Sequence, residues 1–338
     1  LDPAGLLVMM GLVNIVTGLV YRIPMPVEPM KVIAVAAIAQ HWTPSMVYAS
    51  GFAMGGIWLL FASTGIITRI SGLIPGPVIR GIQVSLGLLL AIEAVKMIST
   101  WWSLGVASMA AVLLLRNSRY APASIVLIVS GLAIMFFRGQ LQQVSPPQFT
   151  LPALTGFSSM EVWQTLLLAG FAQVPLTVSN ATIATSSLIK TYWPEKAVSE
   201  RRLAWNQGII NTVLPFFGGM PTCHGAGGLA GQYFFGARTG GANIIEGLLE
   251  ITMGLFFSAS IAWIFSSFPM AIIGAMMFMV GLELTKFVKD FTAARDIAPM
   301  AFTVIISLAA NMFWGMVAGA AVFYALQFYS SGKAVKKT

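Results

Sequence analysis

Two stretches decide the fold: Arg22-Ile23-Pro24-Met25-Pro26-Val27-Glu28-Pro29-Met30-Lys31, and Gly218-Gly219-Met220-Pro221-Thr222-Cys223-His224-Gly225-Ala226-Gly227-Gly228-Leu229-Ala230-Gly231. In the first, alternating prolines remove backbone donors and push their neighbours into extended geometry, so no helix runs through Ile23–Val27. A half-helix is expected next, with Pro29 in its first turn, ending at Gln40. The second stretch is expected to be extended over Gly218–Thr222 and then to enter a small-residue run. As helices, the apolar segments Pro29–Gln40 and Gly225–Phe235 would reach only about 18 and 16 Å. That falls short of the ~30 Å hydrocarbon core of a bilayer, so both read as broken elements among full spans.

The rest of the chain supplies those spans. Of 338 residues, 57% are hydrophobic and 9% charged, whereas a soluble domain carries roughly 25% charged residues. An ordinary cytosolic enzyme, a disordered chain and a nucleic-acid binder are excluded. Apolar runs cover Gly5–Val20, Met46–Ser63, Val78–Ile98, Leu104–Leu115, Ala121–Phe137, Val162–Ile189 and Ala204–Phe217. Further runs are Asn243–Phe265, Met270–Leu284, Ile297–Ala310 and Met312–Phe328. Asp2-Pro3 reads as an N-cap followed by a first-turn proline. If the elements alternate and the Lys-rich end lies inside, sixteen of the 19 Lys and Arg fall on inside connections, Arg116, Arg119, Lys336 and Lys337 among them. Only Lys96 and Arg138 fall outside. This bias predicts a multi-pass protein of the cell membrane with a cytoplasmic C-terminus, its net charge of +8 marking orientation and not a polyanion groove. With one cysteine and two histidines, no metal centre, cofactor or enzyme chemistry is expected.

The chain also repeats itself. Met25-Pro26-Val27 recurs 195 residues on as Met220-Pro221-Thr222, Pro75 and Gly87 recur at 194 as Pro269 and Gly281, and Gly11-Leu12-Val13-Asn14 matches Gly208-Ile209-Ile210-Asn211 at 197. Seven elements per unit would give the copies opposite orientation, as in secondary transporters built from inverted repeats. The second unit opens with Val162–Ile189 and the first has no counterpart, so one N-terminal span is expected to be absent.

Irregular backbone at membrane depth survives only where protein or a watery cavity surrounds it. Two helix N-termini meeting there would direct unsatisfied N–H groups at one point, which favours an anion. The expected substrate-binding residues at these tips are Met30, Lys31, His224, Gly225, Ala226 and Gly227. Gly227 and Gly231, four apart, are expected to permit tight helix contact. Gln173, Thr177 and Asn180 form one helical stripe in an apolar span and are expected to donate hydrogen bonds to an oxyanion. Interhelical bonding is the competing role for that stripe. Glu28, three before Lys31, is the proton-coupling candidate, with a neutralising ion pair as its alternative. Cys223 reads as a small apolar filler, and Glu246 with Glu250 as paired or interface charges.

The strings RIPMPVEPMK (Arg22–Lys31), FAQVPLTVSNA (Phe171–Ala181) and MPTCHGAGGLAGQYFFGAR (Met220–Arg238) resemble the molybdate transporter family of plants and bacteria, a branch related to the sulfate permeases. The resemblance covers nearly the whole chain. It implies an all-α polytopic membrane protein of seven plus seven inverted spans, with two half-helices preceded by short extended strands. It further implies a core domain, placed at 1–68 and 160–264, sliding against a gate domain at 69–140 and 265–330, ahead of a tail at 331–338. Molybdate is the implied substrate, moved with protons by alternating access. Sulfate or tungstate transport, or an anion channel on the same scaffold, are the alternatives, and a homodimer is left open. The family pattern carries Gln where this chain has Glu28.

Overall fold

The structure is a computed structural model that describes residues 1–115, 122–290 and 294–335. Arg116, Arg119, Ala121, Lys336 and Lys337 lie outside the described residues. The first half of the chain runs through α1 (Pro3–Tyr21), the two-residue strand β1 (Glu28–Pro29), α2 (Lys31–Ala39), α3 (Pro44–Thr64) and α4 (Ile66–Gly72). Then come α5 (Gly76–Ser99), α6 (Trp102–Leu115) and α7 (Ala123–Phe137). After an extended connection follow α8 (Ser159–Tyr192), α9 (Glu200–Val213), β2 (Thr222–Cys223) and α10 (Ala226–Phe234). The chain ends with α11 (Gly241–Ser267), α12 (Met270–Thr285), α13 (Ala294–Ala309) and α14 (Met312–Val335).

Among the described residues, α1, α3, α5, α8, α11 and α14 are long and apolar enough to cross a membrane. Outward faces of these spans and of the shorter helices α6 and α7 carry Leu19, Leu114, Phe136, Phe137 and Phe328, which in water would be a liability and in lipid are solvated. The fold is that of a polytopic helical membrane protein.

Local chemistry explains the boundaries. Asp2 caps α1, its Oδ1 accepting from the Ala4 N–H at 3.0 Å. Thr43 caps α3 ahead of Pro44, and Pro75 and Pro269 precede α5 and α12. Gly65, at φ +69°, lets the chain turn between α3 and α4, a break the hydropathy pattern did not separate. Two boundaries differ from expectation. Pro29 lies in β1, not in the first turn of α2, because Met30 N–H donates to the Pro221 carbonyl (2.9 Å) and keeps the chain extended up to Lys31. α14 continues to Val335, into the expected tail, because no helix breaker follows Phe328 with the force of a proline.

β1 and β2 pair antiparallel, Glu28 opposite Cys223 and Pro29 opposite Thr222. Each strand leads directly into a half-helix, so the pairing brings the N-termini of α2 and α10 together. The principal helix contacts are reciprocal under the sequence offsets: α1 packs on α11, and α3 packs on α9. α5 meets its counterpart α12, where a side chain at Gly87 or at Gly281 would strike the other's carbonyl oxygen, each at 2.6 Å. This reciprocity supports the duplicated unit. The main core is built from α3, α5, α8, α9, α10 and α12 around Trp58, Ile82, Ile183 and Leu229.

Candidate functional site

The extended segments cannot satisfy their own backbone, so side chains do it for them. Asn211 on α9 takes both sides of Thr222, accepting from its N–H and donating to its carbonyl, each at 2.8 Å. Asn243 on α11 does the same for Met25, accepting from its N–H at 2.9 Å and donating to its carbonyl at 2.5 Å. Both asparagines are fully buried. Each acts as a one-residue strand partner, Asn211 on the free side of β2 and Asn243 ahead of β1, and each spares two buried backbone groups a desolvation cost of about 1–3 kcal/mol.

α8 crosses in front of the paired strands. Its α-helical segment around Pro175 is flanked by π-turns over Leu166–Gly170 and Thr177–Ala184, as expected where proline removes a bond from the ladder. The wider turns leave Gln173, Thr177 and Asn180 on the side that faces the half-helices. Gln173 Oε1 accepts from Val32 N–H in the first turn of α2 (2.8 Å), while its Nε2 donates to Thr177 Oγ1 (2.8 Å). Asn180 Oδ1 accepts from Ala226 N–H, the first residue of α10 (3.3 Å). One helix therefore caps both half-helices, through two of the three residues in the predicted stripe. Their carbonyl oxygens accept from the helix tips, where the sequence led us to expect amide donors aimed at a ligand. The reason is that orphan N–H groups at helix ends take the nearest acceptor.

Glu28, Lys31, Gln173, Leu176, Thr177, Asn180, Ala181 and Cys223 line one small cavity of about 10 Å³, room for roughly one water. Lys31 Nζ stands 3.9 Å from Glu28 Oε2, an open ion pair with the lysine largely exposed. The Glu28 carboxylate lies against the first turn of α10, where a side chain at Gly225 or Gly228 would collide with it. A larger cavity of about 330 Å³ shares Lys31, Leu176 and Asn180 and extends between Leu86 and Leu90 of α5 to Asn311 and Met312 at the α13–α14 turn.

The structure thus brings together Glu28, Lys31, Gln173, Thr177, Asn180, Gly225 and Ala226. It leaves others out. Met30 is wholly buried in the core and contributes its backbone to the strand pairing. The His224 ring is held on both nitrogens, by the Pro26 carbonyl (2.8 Å) and the Asn206 side chain (2.6 Å), and is absent from the cavity lining. It braces the extended segment ahead of β1 against α9. A Cβ placed at Gly227 or Gly231 would meet Leu90 or Val280 at 3.4 Å, ordinary contact and not the expected tight approach. The close glycines are Gly225 and Gly228, because the Glu28 carboxylate fills the space beside them.

Cys223 is buried and lines the cavity. Sequence reasoning missed the two asparagine clamps. The signal available was a polar residue in an apolar span eleven residues ahead of an extended stretch, which Asn211 satisfies. Glu246 and Glu250 are met by amides, Gln232 Nε2 at 3.0 Å and Asn14 Nδ2 at 2.8 Å.

Compared with known proteins, residues 1–90 and 165–284 match the family described as molybdate transporter of the MFS superfamily. Molybdate transporter 1 of Arabidopsis thaliana is 31% identical over 390 residues, covering 99% of this chain and 84% of that protein. Molybdate transporter 2 of the same plant is 31% identical over 368 residues, covering 92% of this chain and 77% of its own length. Among solved structures, the transmembrane domain of the cyanobacterial bicarbonate transporter BicA superposes with a TM-score of 0.59 at 16% identity, over 94% of this chain and 88% of that one. The anion transporter-fold protein SLC26A9 does so with a TM-score of 0.62 at 12% identity, over 97% of this chain and 64% of that one. These structural likenesses establish the fold. The curated relatives are transporters, not enzymes.

Proposed function

The chain belongs to the molybdate transporter family, and on that premise we propose that it carries molybdate across the cell membrane as a proton-coupled secondary transporter. The observation that carries the reading is the meeting of two half-helix N-termini, tied by a strand pair, at a cavity lined by Lys31, Gln173, Thr177 and Asn180. A tetrahedral dianion suits that set: two positive helix tips, one lysine, and amide and hydroxyl groups able to turn their donors to several oxygens. Glu28 is the group that takes up the coupling proton, since it is the carboxylate of the cavity.

Alternating access assigns residues 1–68 and 160–264 to the core that carries the site, and 69–140 and 265–330 to the gate. Two observations support it. The larger cavity lies between α8 of the core and the α13–α14 turn of the gate, which positive-inside topology puts outside, with the C-terminus in the cytoplasm. At the opposite end the two parts close on each other: Arg80 of α5 donates to Thr191 of α8 at 3.3 Å. In this reading the present conformation is open to the outside. A homodimer remains part of the expectation, to be read from the mass of the protein in nanodiscs.

Uptake into proteoliposomes is the test. Saturable molybdate uptake, stimulated by an inward proton gradient and competed by tungstate, is expected. Displacement by sulfate at equal concentration would replace molybdate transport with general oxyanion transport. A non-saturating current without exchange would replace the carrier with a channel.

A further inference from the structure

The carboxylate of Glu28 lies where the transported anion would be expected to lie. Its two oxygens rest on the first turn of α10, so near Gly225 and Gly228 that a Cβ at either would have to displace the carboxylate. It shares its cavity with Lys31, whose ammonium stands 3.9 Å away. Beside it only about one water can be held, whereas a tetrahedral oxyanion needs several times that volume. The glycines of that turn therefore make room for a carboxylate that the chain itself supplies.

We propose that Glu28 is a tethered competitor of the substrate. Its carboxylate holds the oxyanion's place at the α10 tip and the attention of Lys31, and the oxyanion enters as Glu28 is neutralised by a proton from solvent or turned aside. The inference rests on the transport reading and adds to it: coupling arises because proton and anion act on one place, the proton removing the rival charge. Two anions cannot share one helix tip and one lysine without strong repulsion, and a ligand competing with a tethered group binds more weakly by the fraction of time the group is away.

Few charged or titratable groups face Glu28. From α2 it faces Lys31 and from β2 Cys223. α8 presents only the uncharged Gln173, Thr177 and Asn180, and α10 presents glycines. Glu246 on α11 lies within electrostatic range but is engaged by Gln232. The His224 ring is occupied by Pro26 and Asn206.

The test is calorimetric titration of the purified full chain with molybdate, and with tungstate, between pH 6 and pH 8. Wild type is expected to bind more tightly as pH falls. Glu28→Gln is expected to bind about tenfold more tightly than wild type at pH 8, equivalent to about 1.4 kcal/mol, and to lose the pH dependence. Glu28→Asp keeps the charge but draws it back from α10 by one methylene, and is expected to fall between the two with its pH dependence intact. It serves if the glutamine variant does not fold. Wild-type binding with E28Q equal to it, or weaker, or retaining the pH slope, overturns the inference and leaves the transport reading standing. Failure of wild type and both variants to bind either oxyanion removes the transport reading and the inference together.

Discussion

The two half-helix units share a sequence pattern but bring different groups to the cavity between them. The first, β1–α2, carries both charges of the site, Glu28 and Lys31, and its helix is largely exposed. The second, β2–α10, is built of glycine and alanine, and the Gly225–Ala226 turn itself is buried. The asparagines that hold them also differ. Asn211 clamps Thr222 in its own unit. Its sequence counterpart Asn14 stands at the same spacing from Met25 but does not touch it; Asn243 of the other unit makes that clamp, and Asn14 accepts from Asn243 (2.9 Å) and donates to Glu250. One unit supplies charge and the other supplies open backbone, so two units of similar pattern make an asymmetric cavity.

The largest effects should come from breaking the clamps. Asn211→Leu and Asn243→Leu each leave two buried backbone groups unpaired, and each is expected to cost about 2–5 kcal/mol. The loss should be greater for Asn243, which also serves Asn14. Thermal unfolding of the detergent-purified protein measures both, and equal losses would mean the two clamps are equivalent. A smaller contrast lies within α10. Gly228→Ala places a methyl against the Glu28 carboxylate and Pro26, and is expected to destabilise by about 1–3 kcal/mol. Gly227→Ala meets only Leu86 and Leu90 at ordinary distance and is expected to be neutral or to gain up to about 1 kcal/mol of helix propensity. The same unfolding assay ranks them, and a reversed order would remove Glu28 from the face of α10. The smallest effect is expected from Lys31→Gln. An exposed charge is worth under about 1 kcal/mol, so molybdate binding should weaken only about threefold, and more at low salt than at high.

Much of this was legible before the fold was known. Prolines 24, 26 and 29 with the glycines around 218–231 located both breaks to within two residues, because proline and glycine act on their own backbone whatever surrounds them. The stripe Gln173–Thr177–Asn180 was legible because polar side chains in an apolar span need a reason. What escaped is of another kind. Pro29 was placed in the helix because its φ suits one, but strand pairing with Thr222, nearly two hundred residues away, outweighed that preference. His224 looked like a ligand by position, yet both ring nitrogens were taken by groups no local pattern reveals.

Composition and pattern alone settled that this chain lives in lipid, that two of its segments stop halfway, and that they belong together. Those are consequences of solvent and of backbone chemistry, which each residue carries with it. The direction of each polar group at the meeting point was decided only in three dimensions: amide oxygens turned to the helix tips, a carboxylate laid on glycine, an imidazole turned away. Hydrogen-bonding groups buried in a bilayer take whichever partner the packing brings within about 3 Å, and that partner is set by the fold as a whole.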